Sequence, residues 1–409
     1  MPCRSVRNGH AVCSGISAPL ERNMQPEKGS MLGQENVSLI LIGILRAELV
    51  GFEDSTSVTL SADKLKDVYC LAKQHNAYTI VANYLIKHGF EEETLFNDFA
   101  VASQALQWCD ESFVKVSKAL SEARIEHLPL KGVVIRKEYP EPWMRLGGDI
   151  DILIHECDRL LVKQILAGLG YKYELNGEED HYTDDSGVVF DIRVALGAPK
   201  GFCSQDVLSD VFNYAKRTEG YRLDLRDDMR YVHAIIHMAK HLVNGGCGIS
   251  HVMDLWVLNH RISVTEEMQA AREALLEKKG VKKLEEAFVA VSEKWFSGAD
   301  VSTVDGLEEF IINGLAHGSD LNHAIKSRRE WGNSFYKLKR LFVPYDYLCQ
   351  LFPQLKGNRW MTPIYEVYRW IYHIRNGRTK KIMREFNESN SISNETVEKT
   401  ERMMKELFG

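Results

Sequence analysis

Between Arg145 and Ile154 the chain reads Arg-Leu-Gly-Gly-Asp-Ile-Asp-Ile-Leu-Ile, so that acids alternate with apolar residues. Alternation of that kind has the period of a β-strand, whose successive side chains point to opposite faces. Asp149 and Asp151 therefore share one face, while Ile150, Ile152 and Ile154 share the other, which the pattern buries. Two neighbouring carboxylates repel and raise a pKa unless a cation lies between them. The pair asks for a hard divalent cation such as Mg²⁺ and marks a candidate site of phosphoryl transfer.

The pattern around this strand predicts a compact α/β core over residues 125–203. A strand is expected at 127–130 and a helix over 133–139, after which Pro140 and Pro142 force a loop. A helix over 158–169 follows the acidic strand, then a strand at 171–175, a polar hairpin at 178–187 and a strand at 188–196. Residues 36–124 read as a helical lead-in, with apolar residues at helix spacing in Leu65, Val68, Tyr69, Leu71 and Ala72. Residues 204–386 read as a helical domain with little strand character. Residues 1–35 carry Arg4 and Arg7 without an apolar stretch of signal-peptide length behind them, and their richness in Ser, Gly and polar residues predicts disorder. The polar stretch opening 387–409 predicts a mobile tail that closes on an amphipathic segment, 397–408.

Charge and cysteines exclude some classes. With 51 basic against 57 acidic residues, the net charge of -6 gives no global field for a nucleic-acid backbone or an anionic membrane, so no extended nucleic-acid surface is expected. The eight cysteines lack CxxC spacing, which fits the reduced thiols of a cytoplasmic protein. The apolar run at 37–45 is too short to span a bilayer and predicts a buried helix.

Lys131-Gly132 stands between the first expected strand and the helix after it, where a glycine lets backbone amides approach phosphate oxygens and a lysine adds charge. Asp191 sits among apolar residues in Val-Val-Phe-Asp-Ile-Arg, and a carboxylate so placed is costly unless it meets a metal or a cation.

At these residues the chain resembles the nucleotidyltransferase-fold superfamily that includes DNA polymerase beta, and within it a bacterial family of uncharacterised nucleotidyltransferases. The resemblance rests on Leu130-Lys131-Gly132, Tyr139-Pro140, Arg145, Asp149-Ile150-Asp151-Ile152-Leu153 and Leu169-Gly170-Tyr171. It extends through His237-Met238-Ala239-Lys240-His241 to Asp254-Leu255, and so covers roughly residues 125–258. The chain departs from the wider superfamily at Lys131-Gly132, where Gly-Ser or Gly-Gly is usual.

The resemblance implies an α+β fold: a small mixed-sheet nucleotidyltransferase core flanked by helical domains. It implies that Asp149 and Asp151 hold two Mg²⁺ ions, with Asp191 completing the second site, and that a nucleoside monophosphate passes from an NTP to a hydroxyl while pyrophosphate leaves. Arg145 would contact a phosphate or brace Asp149; Lys131 and Lys240 would neutralise the β- and γ-phosphates. The acceptor stays open: a small molecule, a protein side chain or a nucleic-acid end. Two other readings stay open as well, a nucleotide- or metal-binding protein without turnover and an interaction scaffold.

Other features carry less. The acids Glu178, Glu179, Asp180, Asp184 and Asp185 read as a solvated turn. His233, His237 and His241 recur every four residues, but Ala234 and Met238 stand where a zinc protease needs glutamate. They read first as satisfied core histidines; a functional reading has His237 and His241 hydrogen-bonding where the core meets the helical domain, together with Asp254, with His233 mattering least. Gly245-Gly246-Cys247-Gly248 reads as a helix stop, Trp331, Trp360, Trp370, Tyr345, Tyr347 and Tyr365 as core filling, and Arg375, Arg378, Lys380, Lys381 and Arg384 as a solvated helix face.

Overall fold

The computed structural model describes residues 31–51, 62–176, 179–196, 208–316, 318, 319, 321–326, 328, 329, 342, 343, 345, 348, 349, 352–375 and 392–409. They belong to two compact units, Met1–Lys240 with Ile249–Thr303, and His241–Gly248 with Val304–Gly409.

The first unit is built on a seven-stranded mixed sheet. In chain order its strands are β1 (His127–Leu130), β2 (Asp149–Ile154), β3 (Lys172–Asn176), β4 (Glu179–Thr183), β5 (Val189–Arg193), β6 (Ala215–Glu219) and β7 (Arg222–Leu225), arranged β3-β4-β5-β2-β1-β7-β6. The centre is β5-β2-β1, with β2 parallel to β5 and antiparallel to β1. The fold is therefore α+β.

Ile150, Ile152 and Ile154 do share a buried face. With Tyr182, Phe190 and Ile192 they pack against Phe113, Val116 and Leu120 of helix α4 (Glu93–Glu122) and Val162 and Leu166 of α6 (Arg159–Gly168). The α5 helix between them in the chain is one turn, Gly132–Ile135. The acid-bearing face is also enclosed, for Leu153 is buried there beside Asp151.

Two strand regions differ from the reading of the sequence. The polar stretch at 178–187 holds a full strand, β4, and the turn is confined to its end, where the Asp184 carboxylate accepts hydrogen bonds from the Ser186 and Val188 amides and the Ser186 hydroxyl. Asp180 is no solvated bystander. It is buried on β4 and takes Nε and Nη2 of Arg159 at 2.7 and 3.1 Å, with the Tyr173 hydroxyl at 3.0 Å. The bond from Arg159 is the largest of the effects that lower its pKa. The second difference is the β6-β7 hairpin, which lies in the stretch read as helical. Most of β6 is exposed at the sheet edge, and charges there keep an edge from pairing with another chain.

Helices α1 (Met31–Val50), α2 (Ala62–Gln74) and α3 (Tyr78–Lys87) precede α4. The apolar run at 37–45 lies in α1, where Leu41, Ile42, Ile44 and Leu45 are buried. Among the described residues no helix is long and apolar enough to cross a membrane. After the sheet come α7 (Asp227–Val243), α8 (Ile249–His260), α9 (Glu266–Lys278) and α10 (Lys282–Ser292). The described cysteines, 70, 109, 157, 247 and 349, are free thiols.

The second unit carries α11 (Leu307–Gly314) and two later helices, Thr362–Arg375 and Asn394–Phe408. Asn394–Phe408 occupies the tail expected to be mobile, is capped by the Ser393 hydroxyl on the Thr396 amide, and buries Met403, Met404 and Leu407. Gly245, at φ +86, follows the end of α7 as a stop should. Tyr345 and Tyr365 pack on Leu348 and Leu355, whereas Trp360 is exposed. Trp331, Tyr347, Arg378, Lys380, Lys381 and Arg384 lie outside the described residues.

Candidate active site

Three acids meet on the sheet because of the β2-β5 register. Asp151 stands directly opposite Asp191, and Asp149 lies two residues back on the same face. Asp151 and Asp191 are buried, and Asp149 is exposed.

Their surroundings are unequal. Asp151 Oδ1 accepts from Lys131 Nζ at 3.0 Å and from Arg193 Nε at 2.7 Å, and its Oδ2 is 2.9 Å from the same Lys131 Nζ. Burial works to raise its pKa, but these two cations outweigh it and hold the carboxyl below its ordinary range. Asp191 Oδ1 accepts from His181 Nδ1 at 2.9 Å, and its Oδ2 lies 3.6 Å from Arg193 Nη2. His181 is the residue of β4 that faces Asp191 in the register. No hydrogen bond or ion pair among the described residues engages the carboxylate of Asp149. Withdrawal of that carboxyl from water, followed by repulsion from Asp191 and Asp151, pushes its pKa up to about 6.

Lys131 ends β1 with φ +54 and ψ -123, a backbone that favours glycine. Such a conformation costs about 1–3 kcal/mol and persists only where the surroundings enforce it. Here it sets the ammonium on Asp151. Gly132 serves a different end, because a Cβ there would stand 3.0 Å from Arg145 Nη1, and one at Gly147 only 2.6 Å. The two glycines make room for the guanidinium.

Arg145 turns away from the acids to α8. Its Nε and Nη2 donate to Asp254 Oδ1 and Oδ2 at 3.1 and 2.8 Å, and its Nη1 donates to the Leu146 carbonyl. The Tyr139 hydroxyl donates to the same Asp254 Oδ1 at 2.7 Å. Tyr139, Arg145 and Asp254 thus form one network that fastens the loop before β2 to α8.

His233 of α7 is buried beside the acids, although its place in the sequence gave it the least weight of the three histidines. Burial, then the charges of Lys131, Arg193 and Lys240, lower its pKa to about 4 against the opposing pull of Asp151, so the imidazole is neutral at pH 7. Lys240 therefore lies within electrostatic reach of the site. A small cleft opens between Lys131, His233, His237, His251 and Asp254. His241 belongs to the second unit.

Arg193 and His181 were missed in the sequence. Arg193 had a signal, since it follows Asp191 by two residues in a strand and must share its face; His181 was hidden in the polar stretch read as a turn.

A row of acids on a mixed sheet, with a lysine at the turn into the next helix, makes a candidate site for a cation and for phosphate groups. Residues 61–297 match the family described as uncharacterised nucleotidyltransferase, and the chain belongs to that family. No curated protein and no solved structure matches the chain.

Proposed function

We propose that the chain moves a nucleoside monophosphate from an NTP to a hydroxyl acceptor, with release of pyrophosphate. The observation that carries this reading is the placement of Asp151 opposite Asp191 with Asp149 on the same face, in a chain of the nucleotidyltransferase family. The donor set, carboxylate oxygens with one acid unpartnered, suits a hard cation such as Mg²⁺. Asp149, Asp151 and Asp191 would hold it, and when bound it would neutralise charge on the oxygens that attack and leave the α-phosphorus.

The chain's own side chains supply the rest. Lys131 and Arg193 place positive charge around Asp151, and Lys240 adds to the field at His233. Fixed charges of this kind lower the cost of bringing a triphosphate to three carboxylates. Arg145 and Gly132 act by position: the first braces the loop that carries β2, and the second leaves space for it. The acceptor is a small molecule, a protein side chain or a nucleic-acid end, and a net charge of -6 disfavours an extended nucleic-acid surface. We place the protein in the cytoplasm on its cysteine spacing.

A second reading, nucleotide binding without turnover, is favoured by one observation: both oxygens of Asp151 are already taken by protein cations. Pyrophosphate release separates the two. The wild-type chain and an Asp149→Asn, Asp151→Asn double variant are compared with Mg²⁺ and each of the four NTPs, in cell extract to supply acceptors. Transfer gives release that the double variant loses. NTP binding with release no higher than in the variant supports the second reading.

A further inference from the structure

In the second unit the helix Thr362–Arg375 is turned inside out. Its enclosed side carries an ion pair, in which Arg369 Nε donates to Glu366 Oε2 at 2.8 Å, and the other oxygen of Glu366 accepts from the Val343 amide at 2.7 Å. Both charged side chains are buried. Its outer side carries Ile364, Val367, Tyr368, Ile371 and Ile374, at the spacing of a single helix face, and Trp360 extends the row from the turn Arg359–Met361 before the helix. These six side chains are 47–74% exposed. The buried pair and its backbone donor fix which side faces out. An apolar row of that length left to water marks a surface that something covers in use.

Charge selects the cover. Between Asp346 and Glu385 the sequence holds a single acid, Glu366, and that one is buried against Arg369. Lys356 and Arg359 are exposed just ahead of the helix, and five more cations stand from Arg375 to Arg384. A second copy of the chain would set cations against cations whichever way the two helices ran. A nucleic acid would meet the cations but gain little from four aliphatic side chains, since its bases stack on aromatic ones. An anionic lipid surface answers both features, because acyl chains take an apolar row without a shaped pocket and headgroup phosphates take the cations. We propose that the helix Thr362–Arg375 lies in the surface of an anionic lipid bilayer, its aliphatic row towards the acyl chains and Trp360 and Tyr368 at the headgroup boundary. The net charge of -6 does not draw the chain there; the local excess of cations does, within the reach that salt allows. This inference is independent of the transfer reading.

Vesicle flotation of the full chain tests this, with phosphatidylglycerol and phosphatidylcholine in equal parts set against phosphatidylcholine alone. The wild type is expected to float with the anionic vesicles and not with the neutral ones, and to be released as salt rises from about 0.1 M to about 0.5 M. The Val367→Gln, Ile371→Gln double variant, which changes only exposed side chains, is expected to bind the anionic vesicles about tenfold more weakly or worse, with an unchanged midpoint of urea unfolding. Leu160→Gln removes an exposed leucine of α6 and is expected to leave binding as it was. Should the double variant unfold, Ile374→Gln takes its place. Equal flotation with both kinds of vesicle overturns the inference, and so does flotation that the folded variant retains. Absence of wild-type flotation overturns it too. In that case a dimer in sedimentation equilibrium that the variant loses gives the face to a second copy, and a single-stranded oligoribonucleotide bound by the wild type alone gives it to nucleic acid.

Discussion

Arg145 meets Asp254 edge to edge, with two parallel hydrogen bonds across 109 residues of chain. Both side chains are largely enclosed, so removing either leaves the other charged and buried. Such losses cost about 3–5 kcal/mol. Asp254→Ala, which also strands the Tyr139 hydroxyl, is expected to lower unfolding free energy by that amount in urea titration. Replacing the pair together, Arg145→Met with Asp254→Leu, is expected to recover most of it.

Asp149 is expected to trade stability for chemistry. Its carboxyl titrates near 6 in the folded chain, above the ordinary carboxyl value. The folded state is thus favoured by protonation, in full below the ordinary value, and that contribution is lost as pH rises through about 6. Asp149→Asn removes the ionisation. It should be more stable than wild type at pH 7.5 by about 1 kcal/mol, after allowance for the exposure of the residue, and the gap should close near pH 4. Urea titrations at both pH values check this, and pyrophosphate release should vanish in the variant.

Lys131 lets backbone strain and side-chain charge be separated. Lys131→Gly and Lys131→Ala both lose the ammonium on Asp151, but only glycine accepts φ +54 freely. The glycine variant is expected to be about 1 kcal/mol more stable than the alanine variant in urea, and both to release pyrophosphate more than tenfold more slowly. Equal stability of the two would mean that the backbone there is not held as described.

His233 is held neutral, with its pKa down at about 4. A depressed histidine contributes stability that is complete above its unfolded value, near 6.5, and drains away as pH falls towards 4. Across that window the wild type should lose about 2–3 kcal/mol relative to His233→Gln, whose stability has no such term. A parallel pH dependence of the two proteins in urea would contradict this.

A core of strands and helices between helical flanks could be read from the chain because Ile150, Ile152 and Ile154 alternate with acids and long apolar-periodic segments flank them, while the α+β class came with the family resemblance. What stayed hidden has physical causes. β4 is polar in composition, since Asp180 and His181 spend their charge and hydrogen bonds on Arg159 and Asp191 rather than on water. β6 lies at an exposed edge and gives no apolar alternation, although Leu223 and Leu225 of β7 do. Arg145 was visible as a cation near the acids, but its partner lies 109 residues away, and nothing local distinguishes that partner from a phosphate. His233 sits on a helix with two other histidines, and only the packing of α7 beside Lys131 and Asp151 gives it a place in the site.

The parallel pairing of β2 with β5 also sets an order of assembly. Arg193 reaches Asp151 across 42 residues, and β5 must find its place between β4 and β2 before it can do so. Contacts of such separation form late, because the entropy of closing the intervening chain is lost before the contact is gained. During synthesis, Lys131, Asp149 and Asp151 emerge well before the strand that completes them. A chain halted before Val189 would carry two acids and a lysine, and no site.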